Sequence, residues 1–542
     1  MDSLASQKSQ SWLSWFYRGI LVLALLVLIG RTAELQIVKG QYYRDLSDNN
    51  RIKRITIKAP RGKILARGGE ELVGNVEVKK EIVFKVEGGY EKKDVDTNSK
   101  EENVISEWER DYPLGSDFAH AGGYVAEVNE KEVGMVDPDC IDKGPRKVGS
   151  IIGRSGLEAQ YECSLRGLDG EELVEVDIKG KVKRVLGTKA PIAGSDVTTT
   201  IDFNLQKKTA ESFKNIKDLP KVKLESDGKK GAVIITDGMG QILSFYSSPS
   251  FDPKNISDAL NDTDLPLFNR VISGAYHPGS TFKLITSTAG LEERKIDKNY
   301  TYTDTGIISV NGFDYKNWYF TQYGGQEGNI GLIKALARST DTFFYKLGEI
   351  VGVDNLAKWA RKFGLGQKTK IDLPGEVSGL VPDPKWKKET KGEAWFLGNT
   401  YHMAIGQGDV TATPLQVNLY TSVIGNNGKI CKPYLVGSKP DCKDLGVSKE
   451  TVKEIKTGMQ QACSPGGTAF TFFDFKPLVA CKTGTAQTEE VDKTHAWFTV
   501  FAPADYPEIV ATVLVEKGGE GSYAASPVAK QILDWWFLQR NP

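Results

Sequence analysis

An unbroken apolar run, Gly19-Ile20-Leu21-Val22-Leu23-Ala24-Leu25-Leu26-Val27-Leu28-Ile29-Gly30, lies near the start of this 542-residue chain. Such a segment has to be covered by lipid or by protein. Alone it is short for a bilayer, which takes ~20 residues. Upstream, Trp12, Leu13, Trp15, Phe16 and Tyr17 extend it, interrupted only by Arg18, whose side chain can reach the headgroups. A helix over residues 11–31 therefore spans, with residues 1–10 as a short tail. The competing reading is a cleaved signal peptide. No small-x-small cleavage site follows, since the next residues are Arg31-Thr32-Ala33-Glu34, and a retained anchor is expected. Charge contributes little to orientation, because Lys8 and Arg18 face many basic residues beyond the span.

The length calls for two or three folded units. With 70 basic and 70 acidic residues the formal net charge is zero, which argues against nucleic-acid binding through bulk charge. The four histidines show no metal-ligand spacing and the six cysteines no CxxC, so no metal and no cofactor are expected. Cys431 and Cys442 are close enough in sequence to suggest a disulfide. Six reduced, partly buried thiols is the equally open alternative.

Beyond the anchor, residues 32–58 read as helix and then strand, with alternation at Ile52, Ile55 and Ile57. Residues 88–103, polar and highly charged, read as a solvated loop. Short strands continue to Val197–Ile201, and a helix over 205–213 leads into a Lys-rich linker. Two strands, 231–236 and 241–246, flank the turn Asp237-Gly238-Met239-Gly240. A mostly helical middle runs over 280–465. Strands follow near 478–487, 495–502 and 508–516, then an amphipathic helix over 527–539. Strands at both ends with helices between describe an α+β domain whose sheet is closed by the two chain ends.

Three short motifs carry the chemistry: Ser280-Thr281-Phe282-Lys283, Ser339-Thr340-Asp341 and Lys482-Thr483-Gly484-Thr485. Each is common alone. Ser226-Asp227-Gly228-Lys229 repeats the first pattern in a polar linker, and Lys456-Thr457-Gly458 repeats the third inside a helical pattern. The selected copies have the required context. Pro278-Gly279 breaks the chain before Ser280, placing it at a helix N-terminus with Lys283 one turn on and on the same face. A serine hydroxyl needs an adjacent base, and a buried lysine can serve. Ser339 and Asp341 fall between two helices. Lys482–Thr485 reads as a strand with Thr483 and Thr485 on one face and Gly484 allowing close backbone approach.

In this order the motifs resemble those of the penicillin-binding protein transpeptidases. The flanks extend the likeness: Tyr276-His277-Pro278-Gly279, Gly364-Leu365-Gly366 through Ile371-Asp372-Leu373-Pro374-Gly375-Glu376 (with Lys370 in place of the usual glycine), Ile405-Gly406-Gln407-Gly408, and His495-Ala496-Trp497-Phe498. Pro60-Arg61-Gly62, Arg110-Asp111-Tyr112-Pro113 and Gly153-Arg154-Ser155-Gly156-Leu157-Glu158 resemble the non-catalytic pedestal of class B members. Asp341, with Gly518–Ser522, leans toward the elongation type. About 40 residues separate Arg67 from Arg110, where many relatives insert a head subdomain.

The resemblance implies a membrane helix over 11–31, a small β-rich pedestal over 32–200, and a penicillin-binding/β-lactamase-like domain over 201–542 with a five-stranded antiparallel sheet flanked by helices. The chain is then single-pass, with a cytoplasmic N-terminus and an extracytoplasmic catalytic domain. By the same resemblance Ser280 is acylated by a D-Ala-D-Ala stem peptide, Lys283 takes its proton, Ser339 and Lys482 relay a proton to the leaving amine, and Asp341 holds Lys283. Thr483, Gly484 and Thr485 bind substrate. β-Lactams are the implied inhibitors, and a SEDS-family glycosyltransferase the implied partner. The structural zinc of some relatives is not expected, because residues 278–401 hold no His or Cys. A D,D-carboxypeptidase or β-lactamase, and a non-catalytic β-lactam sensor or scaffold, are the alternative functions.

Overall fold

The computed structural model describes residues 5–85, 89–95, 103–177, 180–437 and 439–539. Ala5–Ala33 is a single helix, and the stretch Trp12–Val38 is long and apolar enough to cross a membrane. None of its central apolar side chains is buried by protein. The described chain divides into two compact units, one comprising the segments up to Pro60, Val76–Glu109 and Gly167–Ala193, the other Arg61–Asn75, Arg110–Arg166 and the chain from Gly194 onward.

In the first unit the helix Gly40–Arg51 leads directly into the strand Ile52–Ile57, which pairs antiparallel with Gly170–Val176. That strand pairs in turn with Val182–Lys189. The core is small, built on Ile55, Ile82, Val174 and Val176. The solvated loop expected over 88–103 is corrected in part: Tyr90–Asp94 is a strand, in register with Lys80 to Phe84. Opposite charges on strands of the same sheet replace the missing apolar alternation. Lys80 bonds Asp94 and Glu109, each at 2.7 Å, and Lys92 bonds Glu107. Residues 88 and 96–102 of that stretch lie outside the described residues.

In the second unit the motifs around Arg61, Arg110 and Glu158 converge. Arg61 donates to Glu158 and Glu162, both at 2.7 Å, and Arg110 to Glu158 at 2.5 Å. All four side chains are nearly buried. Two cations and two carboxylates removed from water together leave no uncompensated charge, whereas loss of one partner would. The Tyr161 hydroxyl donates to Asp372 (2.8 Å), which also accepts the backbone N–H groups of Leu435 and Val436.

The five-stranded antiparallel sheet has the order Ile242–Ser248, Gly231–Thr236, Ile509–Val515, Thr494–Ala502, Ala480–Gln487, as expected for the α+β reading. Its inner strands read as continuous apolar runs because both faces are covered. The helices Phe203–Lys214 and Ala525–Asp534 pack on one face and Pro414–Gly425 on the other. Behind the latter, Lys283–Glu292 is buried from Lys283 to Gly290, the pattern of a central helix with no solvent face. The middle of the chain is less helical than its sequence suggests. Four short strands, Thr301–Asp304, Ile307–Val310, Phe313–Lys316 and Gly328–Gly331, form two small pairs between the first and second motifs. All six cysteines pair, as Cys140–Cys163, Cys431–Cys442 and Cys463–Cys481, which resolves the open alternative in favour of disulfides.

Candidate active site

Pro278 and Gly279 turn the chain into a tight single turn, Gly279–Phe282, that runs straight into the buried helix beginning at Lys283. Gly279 has φ +54°, and a Cβ there would meet Thr485 O at 2.9 Å. Its N–H donates to Gly406 O (2.9 Å), and Gly406, at φ +74°, would bring a Cβ to 2.2 Å from Gly279 O. Only glycine fits there. Tyr276 and Ala412 exchange backbone hydrogen bonds at 2.9 and 2.8 Å, and Trp497 Nε1 donates to His277 O at 2.9 Å. Beneath, Glu516 Oε1 accepts from the Tyr276 hydroxyl (2.6 Å) and from Arg270 Nε (2.8 Å). The segment carrying Ser280 is thus fixed on both sides, and Ser280 itself is half-buried on a cleft wall.

The Lys283 ammonium is fully buried and spends its three donors on Ser339 O (2.7 Å), Ser339 Oγ (3.1 Å) and Asp341 Oδ1 (2.7 Å). Its nitrogen lies 5.2 Å from the Phe344 ring centroid. Ser339 sits between the helices Leu332–Arg338 and Asp341–Val351 with φ +55°. The second helix is capped at Thr340, without a side-chain bond. The Ser339 hydroxyl is therefore not a cap and bridges the two lysines, since Lys482 Nζ donates to it at 2.8 Å and to Thr483 O at 3.0 Å. Among the described residues the Ser280 hydroxyl has no hydrogen-bond partner. Burial pushes Lys283 below the ordinary lysine range against the opposing pull of Asp341. Lys482 is pushed well below it, first by burial and then by the neighbouring Lys283 charge. Of the two amines, only Lys283 touches the Asp341 carboxylate.

Lys482–Thr485 lies on the edge strand of the sheet, whose free side faces a cleft of about 1210 Å³. Ser280, Ser339, Asp341, Thr483, Gly484 and Thr485 line it, with Lys283 and Lys482 buried behind. Thr485 is exposed, whereas Thr483 is buried and its hydroxyl pairs with Thr468 (2.8 Å). A Cβ on Gly484 would meet Trp497 Cβ at 2.9 Å and Thr281 Cγ2 at 3.1 Å, so the strand lies flat against the serine turn only because of that glycine. The decoys stay apart: Ser226 is in a loop and Lys456 in the helix Lys449–Ala462.

Residues 231–534 match the penicillin-binding protein transpeptidase domain family, more than half of the chain, and residues 98–199 match the penicillin-binding protein dimerisation domain. The chain belongs to the penicillin-binding protein transpeptidases. Among its relatives, the peptidoglycan D,D-transpeptidase MrdA of Acinetobacter baumannii is 32% identical over 97% of this chain and 88% of its own. MrdA of Escherichia coli K12 is 31% identical, with 97% and 94% covered. Solved structures agree. Helicobacter pylori penicillin-binding protein two, in its complex with MreC, superposes with TM-score 0.75 at 26% identity, covering 91% of this chain and all of that one. A peptidoglycan synthase complex described as coordinating polymerization and crosslinking gives TM-score 0.74 at 29% identity, with 98% and 99% covered. The chain is accordingly a class B, penicillin-binding-protein-two-type enzyme, a serine-type D-Ala-D-Ala transpeptidase of cell-wall synthesis.

Several residues that shape this cleft are not evident from the motifs. Thr468, which holds Thr483, follows Gly466-Gly467, a turn signal that could have marked it. Glu516 reaches Tyr276 from 240 residues downstream and is itself held by Arg270, and no local pattern marks either. Across the cleft, Gln322 Nε2 donates to Glu520 Oε1 at 2.8 Å. Asp137, Cys140 and Cys163 also come together elsewhere in the chain, but both sulfurs are bonded to each other, leaving a single carboxylate for a metal.

Proposed function

We propose that Ser280 is the acylated residue of this transpeptidase, and that the buried Lys283–Ser339–Lys482 chain is its proton machinery. The observation that carries the reading is the Ser339 hydroxyl, shared by two amines and open to the same cleft as Ser280. Ser280 Oγ attacks the carbonyl between the terminal D-alanines of a stem peptide. Neutral Lys283, which keeps only two donors and gains a lone pair, takes the hydroxyl proton. The backbone N–H groups of Ser280 and Thr485 stabilise the oxyanion. The proton taken by Lys283 passes through the Ser339 hydroxyl, with Lys482 bonded behind it, to the departing D-alanine amine; Asp341 holds Lys283 in place, and Thr483, Gly484 and Thr485 hold the substrate carboxylate and backbone. The amine of a neighbouring stem then attacks the ester, forming the cross-link and releasing Ser280.

The proposed layout is a cytoplasmic tail over 1–10, an anchor over 11–31, a pedestal over 32–200 and the catalytic domain over 201–542. The N-terminus is cytoplasmic and the domain extracytoplasmic. Pairing of all six cysteines supports an oxidising compartment. The H. pylori complex supports a partner of the MreC kind for this chain. The synthase complex supports a polymerising partner, which we take to be a SEDS-family glycosyltransferase acting during elongation.

The test is covalent labelling by a fluorescent penicillin. One label per chain is expected, absent in Ser280→Ala. The same ectodomain, given lipid-linked precursor and a polymerase, should yield cross-linked stem dimers. Labelling that survives Ser280→Ala would move the nucleophile elsewhere.

A further inference from the structure

Behind the second motif lies a buried carboxylate that the reaction above does not use. Asp304, 1% exposed, ends the strand Thr301–Asp304 and has no cationic partner among the described residues. It is satisfied by four donors from separate segments. These are Gly306 N (2.8 Å), Glu327 N (2.8 Å), Thr342 Oγ1 (2.6 Å) and Asn317 Nδ2 (3.3 Å). Asn317 is also fully buried, and the far side of its amide, Oδ1, accepts the backbone N–H of Asp341 at 3.2 Å. The next residue, Trp318, donates its own N–H to Asp341 Oδ2 at 3.1 Å. The other oxygen of Asp341 holds Lys283.

We propose that Asp304 and Asn317 are positioning residues of the transpeptidase, fixing Asp341 so that one of its oxygens stays on Lys283. The inference rests on the catalytic reading of Lys283 given above. An amide side chain can point either way, and an acceptor for its NH₂ group decides which. Asp304 Oδ2 supplies that acceptor and so turns Asn317 Oδ1 toward the start of the Asp341–Val351 helix. Thr342, next to Asp341 on that helix, is bound by Asp304 Oδ1 directly. Two adjacent residues of the helix N-terminus are thereby tied to one buried carboxylate. The Trp318 N–H then leaves Asp341 a single orientation, with Oδ2 on the backbone and Oδ1 on the amine.

The charged groups facing Lys283 are Asp341 from its helix and Lys482 from the edge strand. The same cleft is lined by Arg338, Lys316, His277 and His402 and by the carboxylates of Asp314, Glu489 and Glu520. The Asp341 carboxylate holds the Lys283 proton on. When Asp341 is loosened, the amine loses its proton at lower pH.

The experiment measures the second-order rate of acylation by a fluorescent penicillin against pH, for the full-length wild-type protein in detergent, Asp304→Asn and Asn317→Ala. The second variant leaves Asp304 three of its four donors, so it tests the same link if Asp304→Asn does not fold. The expected result is a rate reduced by about ten- to a hundredfold, as for a misplaced catalytic group. The ascending limb should also move by about one pH unit toward acid. A wild-type rate and midpoint in the folded variants overturns the proposal. So does a lower rate with an unmoved midpoint, which a purely structural residue would give. Neither outcome touches the catalytic reading, which stands or falls on the Ser280→Ala control run alongside.

Discussion

The Ser339 hydroxyl joins two buried amines at one atom, accepting from Lys283 at 3.1 Å and from Lys482 at 2.8 Å. Groups that act through one shared atom are non-additive. Ser339→Ala and Lys482→Met are each expected to slow penicillin acylation by about a hundredfold, the usual scale of a lost proton-transfer partner. The double variant should be little slower than the worse single one, and a double-mutant cycle of acylation rates checks this. The candidate residues themselves were legible from the motifs, because the covalent spacing of Ser280 and Lys283 places them one helical turn apart. Their hydrogen bonds were not. Helical spacing alone brings the Lys283 amine within reach of Ser280, whereas its three donors are taken by Ser339 and Asp341, fifty-six to fifty-eight residues away.

Among the elements, the serine turn and the edge strand meet through glycines. Gly406→Ala would force a Cβ against Gly279 O, at a backbone φ that L side chains avoid. It is expected to lower acylation strongly and to reduce stability by about 1–3 kcal/mol. Denaturant midpoints and labelling rates measure the two separately. The hairpin of Lys429–Cys431 and Cys442–Asp444 is closed by a disulfide across directly paired residues, with a sequence separation of 11. Replacing both cysteines by serine should cost about 2–3 kcal/mol by loop entropy. Labelling should persist, because the hairpin contributes no residue to the cleft. Strands and helices with apolar periodicity were readable in advance. The strand Tyr90–Asp94 was not, since its stabilisation comes from charges on other strands of the same sheet that a window of sequence does not contain.

For the whole molecule, two histidines make stability depend on pH. His120 is buried against Phe251, and the half-buried His495 packs against Tyr276. Burial pushes His120 down to about 3 and His495 down to about 4. Both values lie below that of an unfolded histidine, so above about pH 6.5 neither state binds the proton and nothing is gained or lost. Below it the unfolded chain takes up protons that the folded one refuses, and stability falls toward pH 4. At pH 5 the loss is roughly 2 kcal/mol per histidine. Melting temperatures of the ectodomain should drop between pH 7.5 and 5, and His120→Asn should flatten that slope. A slope that His120→Asn leaves unchanged counts against the assignment. At this scale the sequence alone determined the apolar anchor, the α+β class and the three motifs, because each follows from local periodicity or fixed covalent spacing. Tertiary structure alone decided that Ser339 joins two buried amines, that Glu516 and Arg270 brace the serine turn, and that Asp304 stands behind Asp341. These are contacts between residues tens to hundreds of positions apart. Their partners are chosen by packing and by the need to satisfy every buried polar group, which no stretch of chain encodes by itself.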